Sequence, residues 1–482
     1  MLDNALCEQA RLSRDARFDG TFYTAVKTTG IFCRPICPAR PPKPENVCYY
    51  ISAEQAQAAG YRPCKRCIPE CAPALLVHAT LKKICNDFDF SNDTISSISK
   101  RYNVSERQLQ RVFKDTYGIA PHQFFQQQRL LLASKLLKTT TLSITDICFA
   151  SGFNSLRRFN EAIKSAYKCT PSELKKQDNA IGKTTNVVIE LSYRPPFDWP
   201  LMLKFFSDRQ LTAMENITEN CYQRTIAINS CKGWLQVNHH PNKNSLLLTV
   251  NLSDYRYLTN VITRVKRMFD LDADMSIIHQ QLSKTPLLAQ TIKQHNGLRL
   301  PGSWDLFEFS IRAILGQQVS VKAATTFAKR IAEQYGERVN YHQEKDQNSG
   351  INIRPLSLNF PTIEQLARAN FEGIGLTNTR KQTLINWLGF YQQNQTAIES
   401  CSSSEALNLL IADIKGIGPW TVNYIAMRGL SDPNAFPSAD LGVIKALTEK
   451  NSKPTNKSIL ALAEQWQPWR SYATLYLWHS LH

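Results

Sequence analysis

Four cysteines near the N-terminus limit what this chain can fold into more than any other feature. Cys33 and Cys37 form a C-x3-C pair, Cys64 and Cys67 a C-x2-C pair, and 26 residues separate the two pairs. Two close pairs, each on a turn, supply four tetrahedral sulfurs to one Zn²⁺. The fold of this segment must therefore carry both turns to one point. The neighbourhood is cationic: Arg34, Arg40, Lys43, Arg62, Lys65 and Arg66 flank the ligands. Six such residues around a metal read as a phosphate-contacting face. Four thiolates on one Zn²⁺ leave a net charge of about −2. Such sulfurs stay deprotonated at neutral pH and are nucleophilic where exposed. Alkylating one removes a negative charge, so a surface facing DNA repels phosphates less.

The remaining totals agree with a nucleic-acid partner. The 482 residues suggest two to four domains, and 43% hydrophobic content is enough for sizeable cores. Net charge is +17, which favours a polyanion. The first 180 residues hold 26 Lys+Arg against 16 Asp+Glu, so +10 of that excess lies there. The thirteen cysteines are odd in number and crowd before residue 90. Cys48 and Cys71 read as ordinary small apolar residues. The opening MLDNALCEQARLSRD is too charged for a signal peptide, and no apolar run is long enough for a membrane span. A reduced, cytoplasmic chain is expected, with metal rather than disulfides at its clustered cysteines and no membrane partner.

Between residues 95 and 114 the apolar spacing is helical and is broken once by a short polar turn. Ile95, Ile98 and Ser99 lead to Tyr102-Asn103-Val104-Ser105, then to Leu109 and Phe113. Ser105 stands where an N-cap would start a second helix carrying Arg107, Gln108, Gln110, Arg111 and Lys114. A second copy runs from Ile144, Ile147 and Cys148 through Ala150-Ser151-Gly152-Phe153 to Leu156, Arg157, Arg158, Phe159 and Lys164. A long apolar-periodic helix, about Pro121–Lys138, lies between them. Two recognition-type helices on one rigid spacer can enter successive major-groove faces. Arg107, Arg111, Arg157 and Arg158 are the candidate base or phosphate contacts. Cys148 and Cys169 read as core. KKQDNAIGKTT (175–185) reads as a linker.

Beyond it, Val187–Leu191 has strand character, as do Tyr222–Asn229, Gly233–Asn238 and Ser245–Leu252, with a short helix at Trp199–Ser207. From about Leu258 the pattern stays helical. His239-His240 reads as a polar hairpin end, because adjacent strand residues point to opposite faces. Asp270, Asp272 and Asp274 lack the glycine and closing glutamate of a calcium loop. The stretch about Asn340–Arg354 reads as a charged loop insertion. The chemistry concentrates in KGIGPWTVNYIAMRGLSDPNAFPSAD (415–440). Gly416-Ile417-Gly418-Pro419 is a tight turn opening a helix, Trp420–Arg428, whose N-terminus suits a nucleic-acid phosphate. Asp440 follows a Pro-containing loop and precedes the helical run Leu441–Leu447.

Three resemblances cover nearly the whole chain. TTGIFCRPICPAR…AAGYRPCKRC resembles the N-terminal domain of the Ada methylation-response family, in which the first cysteine takes a methyl group irreversibly from a DNA methylphosphotriester. The matching position is Cys33, which spacing alone does not single out among the four ligands. Pro38 stands where that family often has a basic residue. The paired helical units, with Tyr117-Gly118-x2-Pro121 and its echo Tyr167-x2-Thr170-Pro171, resemble an AraC-type DNA-binding domain. The 415–440 signature, LRLPGSWDLFEFSIRAILGQQVSVKAA (298–324) and EQWQPWRSYATLYLW (464–478) resemble an AlkA-type 3-methyladenine DNA glycosylase of the helix–hairpin–helix superfamily.

The last resemblance implies a flipped alkylated base, an aromatic pocket and a catalytic Asp440. The aligned pocket positions are Phe205, Trp420, Tyr424 and Trp478. His479 replaces an aromatic Tyr ring of the close relative. In the loop Gly316-Gln317-Gln318-Val319, Gln318 stands where that relative inserts Leu into the gap left by the flipped base. Strand-cutting members of the superfamily carry a Lys two residues after the second hairpin Gly. Trp420 occupies that position here, which implies a monofunctional glycosylase with no lyase step. The last cysteine is Cys401, so the iron–sulfur cluster of some relatives is not expected. The Pro-Cys-His-Arg methyltransferase site that usually ends an Ada protein is absent from the sequence, so reversal of O6-alkylguanine is not expected.

The expected architecture is multidomain α+β. Residues 1–77 form a small zinc-bound α/β methyl-acceptor domain and 78–177 an all-α double helix-turn-helix domain. Residues 178–186 form a linker, 187–270 an AlkA-like sheet-containing lobe and 271–482 a helical HhH-GPD bundle. The expected function is methyl-triggered transcriptional activation by the first part and excision of bases such as 3-methyladenine by the second. The expected ligands are one Zn²⁺, held by Cys33, Cys37, Cys64 and Cys67, and a monovalent cation at the hairpin. The expected partners are alkylated duplex DNA, with Gly416 and Gly418 as the hairpin's phosphate clamp, promoter DNA and RNA polymerase, with the protein a monomer. The alternative is a zinc-containing regulator whose C-terminal part only binds damaged DNA.

Overall fold

The computed structural model describes residues 3–73, 81, 84–85, 88, 93–102, 104–176, 186–339, 341, 356–448 and 454–481. The expected linker (178–186) and the charged insertion (340–354) lie outside the described residues, apart from Asn186 and Tyr341. So does the side chain of Cys71.

The N-terminal domain starts with helix α1 (Asn4–Ser13), capped by the Asp3 carboxylate. Strands β1 (Tyr23–Val26), β2 (Ile31–Cys33), β3 (Val47–Tyr50) and β4 (Arg62–Pro63) form a sheet of order β3-β1-β2-β4. Helix α2 (Ala53–Ala58), capped by Ser52, connects β3 to β4. The important pairing is the parallel one, β2 with β4, which sets Phe32 against Pro63. Cys33 and Cys64 each follow directly, and the Cys64 N–H donates to the Phe32 carbonyl at 2.9 Å. One short parallel ladder thus closes the long sequence gap between the two cysteine pairs.

The helix-turn-helix units repeat in structure as in sequence. Helices α3 (Ile95–Arg101) and α4 (Glu106–Tyr117) form the first, and α4 begins with a capping box between Ser105 and Gln108. Helix α5 (Pro121–Thr139) is the spacer. Helices α6 (Ile144–Ala150) and α7 (Leu156–Tyr167) form the second. Each recognition-type helix buries one i, i+4, i+8 stripe: Leu109, Phe113 and Tyr117 in α4, Phe159, Ile163 and Tyr167 in α7. The opposite faces carry the exposed Arg107, Arg111, Arg157 and Arg158. A final short helix, α8 (Pro171–Lys176), ends this part.

The sheet lobe begins at β5 (Val187–Ser192), followed by α9 (Trp199–Ser207), β6 (Glu215–Ile217), β7 (Cys221–Ile228), β8 (Cys231–His239) and β9 (Ser245–Leu252). Its order is β5-β9-β8-β7-β6. The short strand β6 carries no alternation signal, so the sequence does not reveal it. His239 ends β8 with its Nε2 2.6 Å from the Tyr193 hydroxyl. The helices that follow include α10 (Leu258–Met268), α11 (Leu306–Leu315), α12 (Val321–Tyr335), α13 (Asn378–Ser400), α14 (Ser404–Ile411), α15 (Pro419–Gly429), α16 (Leu441–Ala446) and α17 (Arg470–His479).

The compact units do not follow sequence order. The first comprises Met1–Pro195, Val237–Thr263 and Leu271–Asp274; the second comprises Pro196–Gln236, Arg264–Asp270 and Met275–His482. Within the first, the zinc domain, the spacer helix and the edge of the later sheet are fastened by buried polar contacts. Leu131 of α5 joins the zinc-domain core of Tyr23, Ala25, Phe32, Ala53 and Ala56. Lys138 of α5 pairs with Glu70 at 2.9 Å, both side chains buried, and Ser134 donates to the same carboxylate. The Lys135 ammonium donates to the Glu190 carbonyl of β5. Arg194, buried just after β5, donates to the carbonyls of Asp19 and Asp272.

Candidate functional site

In the first unit the sulfurs of Cys33, Cys37, Cys64 and Cys67 all lie within 4.8 Å of one another. Cys37 and Cys64 are 3.9 Å apart, close to the spacing of about 3.8 Å that a tetrahedral zinc–thiolate site requires. Hydrogen bonding among the sulfurs pulls Cys37 down to about 7 and Cys64 further, and pushes Cys33 and Cys67 up. Four thiols this close cannot all ionise without a shared cation, so the donor set fits Zn²⁺. Cys64 and Cys67 are buried, while Cys33 and Cys37 are half-buried. The Arg34 backbone N–H donates to the Cys67 sulfur at 3.3 Å, which lowers that sulfur's nucleophilicity.

A cleft of about 700 Å³ opens beside the cluster, lined by Cys33, Cys37 and Cys64 and by Arg40, Arg62, Lys65 and Arg66. These four cations are exposed and remain candidates for phosphate contact. Arg34 is not one of them. Its guanidinium is buried, bonded to both carboxylate oxygens of the buried Asp19 and to the Cys67 carbonyl. It braces the ligand turn from a buried position at the wall of the cleft. Cys169 is also corrected: it is half-buried and lines the cleft, whereas Cys148 is core as expected. Breaking the brace has a predictable cost. Asp19→Asn leaves the Arg34 charge buried without its counter-ion, and should destabilise the domain by about 3–5 kcal/mol in denaturant titrations.

In the second unit the hairpin joins α14 to α15. Gly416 has φ +97°, and a Cβ there would lie 2.1 Å from the Thr383 hydroxyl. Gly418 is different: it has ordinary extended backbone as the N-cap of α15, and nothing lies within 4 Å of where its Cβ would be. The turn therefore needs only its first glycine for itself, and the second leaves the helix N-terminus open to an approaching group. Gln317, not singled out by sequence, donates to the Gly416 carbonyl and the Thr421 hydroxyl, both at 2.9 Å. It bolts the 316–319 loop to the hairpin, and its neighbour Gln318 is exposed with φ +54°.

Asp440 caps α16. Its Oδ1 accepts from the Gly442 N–H at 2.9 Å, the Val443 N–H at 3.3 Å and the Trp478 indole at 2.9 Å. Its Oδ2 accepts from the Trp420 indole at 2.9 Å. Trp420 stacks on Tyr424 at 5.0 Å between centroids, and Trp478 meets Tyr424 edge-on at 6.5 Å. Three of the four expected pocket rings thus surround one half-buried carboxylate. Phe205 lies nearby in the same cluster, but the Arg209 and Arg428 guanidinium carbons are 3.7 and 4.6 Å from its ring centroid. His479 packs against His295 at 5.5 Å.

A thiolate zinc domain, a paired helix-turn-helix module and a hairpin-bearing glycosylase fold together define a DNA-directed regulator joined to a base-excision enzyme. Family comparisons match each piece: residues 6–70 to the metal binding domain of Ada, 98–177 to a helix-turn-helix domain, 188–305 to the AlkA N-terminal domain and 311–470 to the HhH-GPD superfamily of base excision DNA repair proteins. The chain is 34% identical over 488 residues to the probable bifunctional transcriptional activator/DNA repair enzyme AlkA of Mycobacterium tuberculosis H37Rv, covering 98% of this chain and 96% of that one. It belongs to that family. Its later part is 28% identical to DNA-3-methyladenine glycosylase 2 of Escherichia coli K12, over 60% of this chain and 96% of that one. The first part is 38% identical to the bifunctional transcriptional activator/DNA repair enzyme Ada of the same organism, over 32% of this chain and 45% of that one. A 3-methyladenine DNA-glycosylase structure from Archaeoglobus fulgidus shares the fold, with TM-score 0.52 at 19% identity, over 60% of this chain and 97% of that one. The Cys33, Cys37, Cys64 and Cys67 cluster is the zinc site. Among the described residues no helix is long and apolar enough to cross a membrane.

Proposed function

We propose that this protein senses alkylated DNA, activates transcription in response and excises alkylated bases. The observation that carries the enzymatic half is the Asp440 carboxylate, held on both oxygens by the Trp420 and Trp478 indoles beside the stacked Tyr424. A carboxylate fixed there stabilises the oxocarbenium character that develops as the N-glycosidic bond of a base such as 3-methyladenine breaks, and orients the incoming water. The electron-rich rings receive the flipped base.

Zinc makes its thiolate ligands nucleophilic. Burial leaves two candidates, since Cys64 and Cys67 are buried and Cys67 also accepts the Arg34 N–H, whereas Cys33 and Cys37 are half-buried on the cationic cleft; the resemblance to the Ada family favours Cys33 of these two. Cys33 takes one methyl group from a methylphosphotriester, once per molecule. Arg40, Arg62, Lys65 and Arg66 hold the neighbouring phosphates, and Arg107, Arg111, Arg157 and Arg158 contact promoter DNA. Gly416 and Gly418 form the backbone phosphate clamp, with a monovalent cation at the hairpin. Gln318 fills the gap of the flipped base. The protein acts in the cytoplasm as a monomer that contacts RNA polymerase. It takes the four domains and the linker at the boundaries read from the sequence.

The glycosylase step leaves the strand uncut, because the position of the lyase amine is Trp420, whose indole is bound to Asp440. The word monofunctional applies to that chemistry alone, since the chain as a whole has both regulatory and repair roles. The alternative of DNA binding without excision draws on one observation, that Asp440 also serves as a helix cap. Release of 3-methyladenine from methylated duplex by the wild type, with an abasic strand cleaved only after alkali, tests the reading. No release would leave the cap as the whole role of Asp440.

The hairpin supplies a separate check. Gly418→Ala adds a methyl group to open space, so the fold should persist while the phosphate is pushed away, weakening duplex binding about tenfold in fluorescence titration. Gly416→Ala forces left-handed backbone and a clash with Thr383, so it should lower the melting temperature as well.

A further inference from the structure

We propose that Gln317 is a positioning residue that aims Gln318 into the duplex, so that phosphate binding at the hairpin drives extrusion of the damaged base. The inference rests on the glycosylase reading above, with Gln318 as the gap-filling residue, and goes beyond it to the side chain that couples the two DNA contacts.

The loop between α11 and α12 is short. Gly316 and Gln317 continue the end of α11, their N–H groups bonded to the Arg312 and Ile314 carbonyls, and Ser320 caps α12. Between them Gln318 stands exposed with φ +54°. A residue other than glycine holds left-handed backbone only where its surroundings over-determine it. Here two bonds do so. The Gln317 carbonyl, part of the peptide that leads into Gln318, accepts from the Arg380 guanidinium in the first turn of α13. The Gln317 side-chain amide donates to the Gly416 carbonyl and the Thr421 hydroxyl, both at 2.9 Å. Gly416 is also left-handed, at φ +97°. One side chain therefore ties two left-handed turns together. Thr421 is buried in the first turn of α15, next to the Trp420 whose indole holds Asp440. Helix α13 grips both parts, since Arg380 holds the loop and Asn386 donates to the Lys415 carbonyl at 3.2 Å. The gap-filling side chain, the phosphate clamp and the catalytic carboxylate are thus fixed to one frame.

That frame gives phosphate binding a use. The hairpin holds the DNA backbone whatever the base sequence. With Gln318 at a fixed offset from the hairpin amides, a backbone seated there has the Gln318 side chain pressed into its base stack. The free energy of the phosphate contact then offsets the cost of unstacking. A loop free to swing would let the phosphate bind while Gln318 turned away, leaving the duplex bound and its base still paired. Gln317 therefore acts through Gln318, on the extrusion step and not on the glycosidic bond. A base that is already unpaired escapes most of the extrusion cost and needs little of this help.

The test measures single-turnover release of 7-methylguanine from two duplexes, one with the base opposite cytosine and one with it in a single-nucleotide bulge. Wild type, Gln317→Met, Thr421→Val, Gln318→Ala and the double variant Gln317→Met/Gln318→Ala are compared, with a melting curve for each. Methionine keeps the length of Gln317 and removes its amide, and valine keeps the shape of Thr421 and removes one of the two acceptors. The expected result is that Gln317→Met slows release from the paired duplex about 100-fold. Release from the bulge should slow by no more than about threefold. Thr421→Val should shift the same ratio in the same direction by about tenfold. Gln318→Ala should reproduce the Gln317→Met pattern, and the double variant should be no slower than the slower single one. Equal losses on both duplexes, an unshifted ratio in Gln317→Met and Thr421→Val, or losses that multiply in the double variant overturn the inference while the glycosylase reading stands. Release from neither duplex by the wild type overturns both.

Discussion

Asp440→Asn should cut base release by about 10²- to 10³-fold while duplex binding stays near the wild-type level. The geometry explains why this substitution separates chemistry from structure. Asn caps helices as well as Asp does, so the bonds from Gly442 and Val443 to Oδ1 survive. Its amide oxygen also keeps the Trp478 indole. Its NH₂, however, then faces the Trp420 indole, donor against donor, where the carboxylate Oδ2 accepted at 2.9 Å. The mismatch should cost about 1–3 kcal/mol of stability, visible as a lower melting temperature but not as unfolding. The larger loss is the negative charge beside the sugar. Single-turnover release of 3-methyladenine checks the first statement, and fluorescence anisotropy on an uncleaved duplex checks the second. Equal losses in both would mean that Asp440 only holds the fold of α16.

Cys64→Ala should unfold the N-terminal domain. Zinc binding in small thiolate domains is folding free energy, of order 10–16 kcal/mol. The Cys64 ligand is buried and continues directly from the β2–β4 ladder, so losing it releases the strand pairing that brings the two cysteine turns together. The spacer helix α5 would lose its contact with Glu70 as well, leaving the buried Lys138 ammonium uncompensated. Zinc content by atomic absorption and a calorimetric scan should therefore show lost metal and a lost or much lower first transition. A chelator should do the same to the wild type. An unshifted scan after metal removal would show that the domain folds on its hydrophobic core alone. The excision half should be the less affected, because Asp440 and its tryptophans lie in the second compact unit.

The chemistry of this chain is legible in its sequence where chemistry dictates spacing. Four cysteines in two close pairs have few other uses, and the structure brings their sulfurs together. The hairpin and the helix after it are readable too, because a tight turn leaves a local signal, whereas Asp440 stands out only through the resemblance to the glycosylase signature. Ser105 announces α4 for the same reason. Long-range partners leave no such signal. Arg34 looks like Arg40 and Arg62 in sequence, but the turn after β2 sends it inward onto Asp19, fifteen residues earlier. Gln317 and Gln318 are neighbours of one type, and only the fold sends one to the hairpin and leaves the other exposed. Phe205 aligns as a pocket ring, yet its face is taken up by guanidinium groups from α15 and from the turn after α9. The short ladder that joins Phe32 to Pro63 is invisible too, since two residues carry no periodicity.

Sensing and excision are tested together by mass spectrometry of the wild-type protein after incubation with methylated duplex DNA, with released bases assayed in the same tube. The expected result is a gain of one methyl group on the Cys33 peptide, none on the peptides of Cys37, Cys64 or Cys67, and free 3-methyladenine in the supernatant. Base release with no methyl adduct would contradict it, leaving a glycosylase tethered to a purely structural zinc domain.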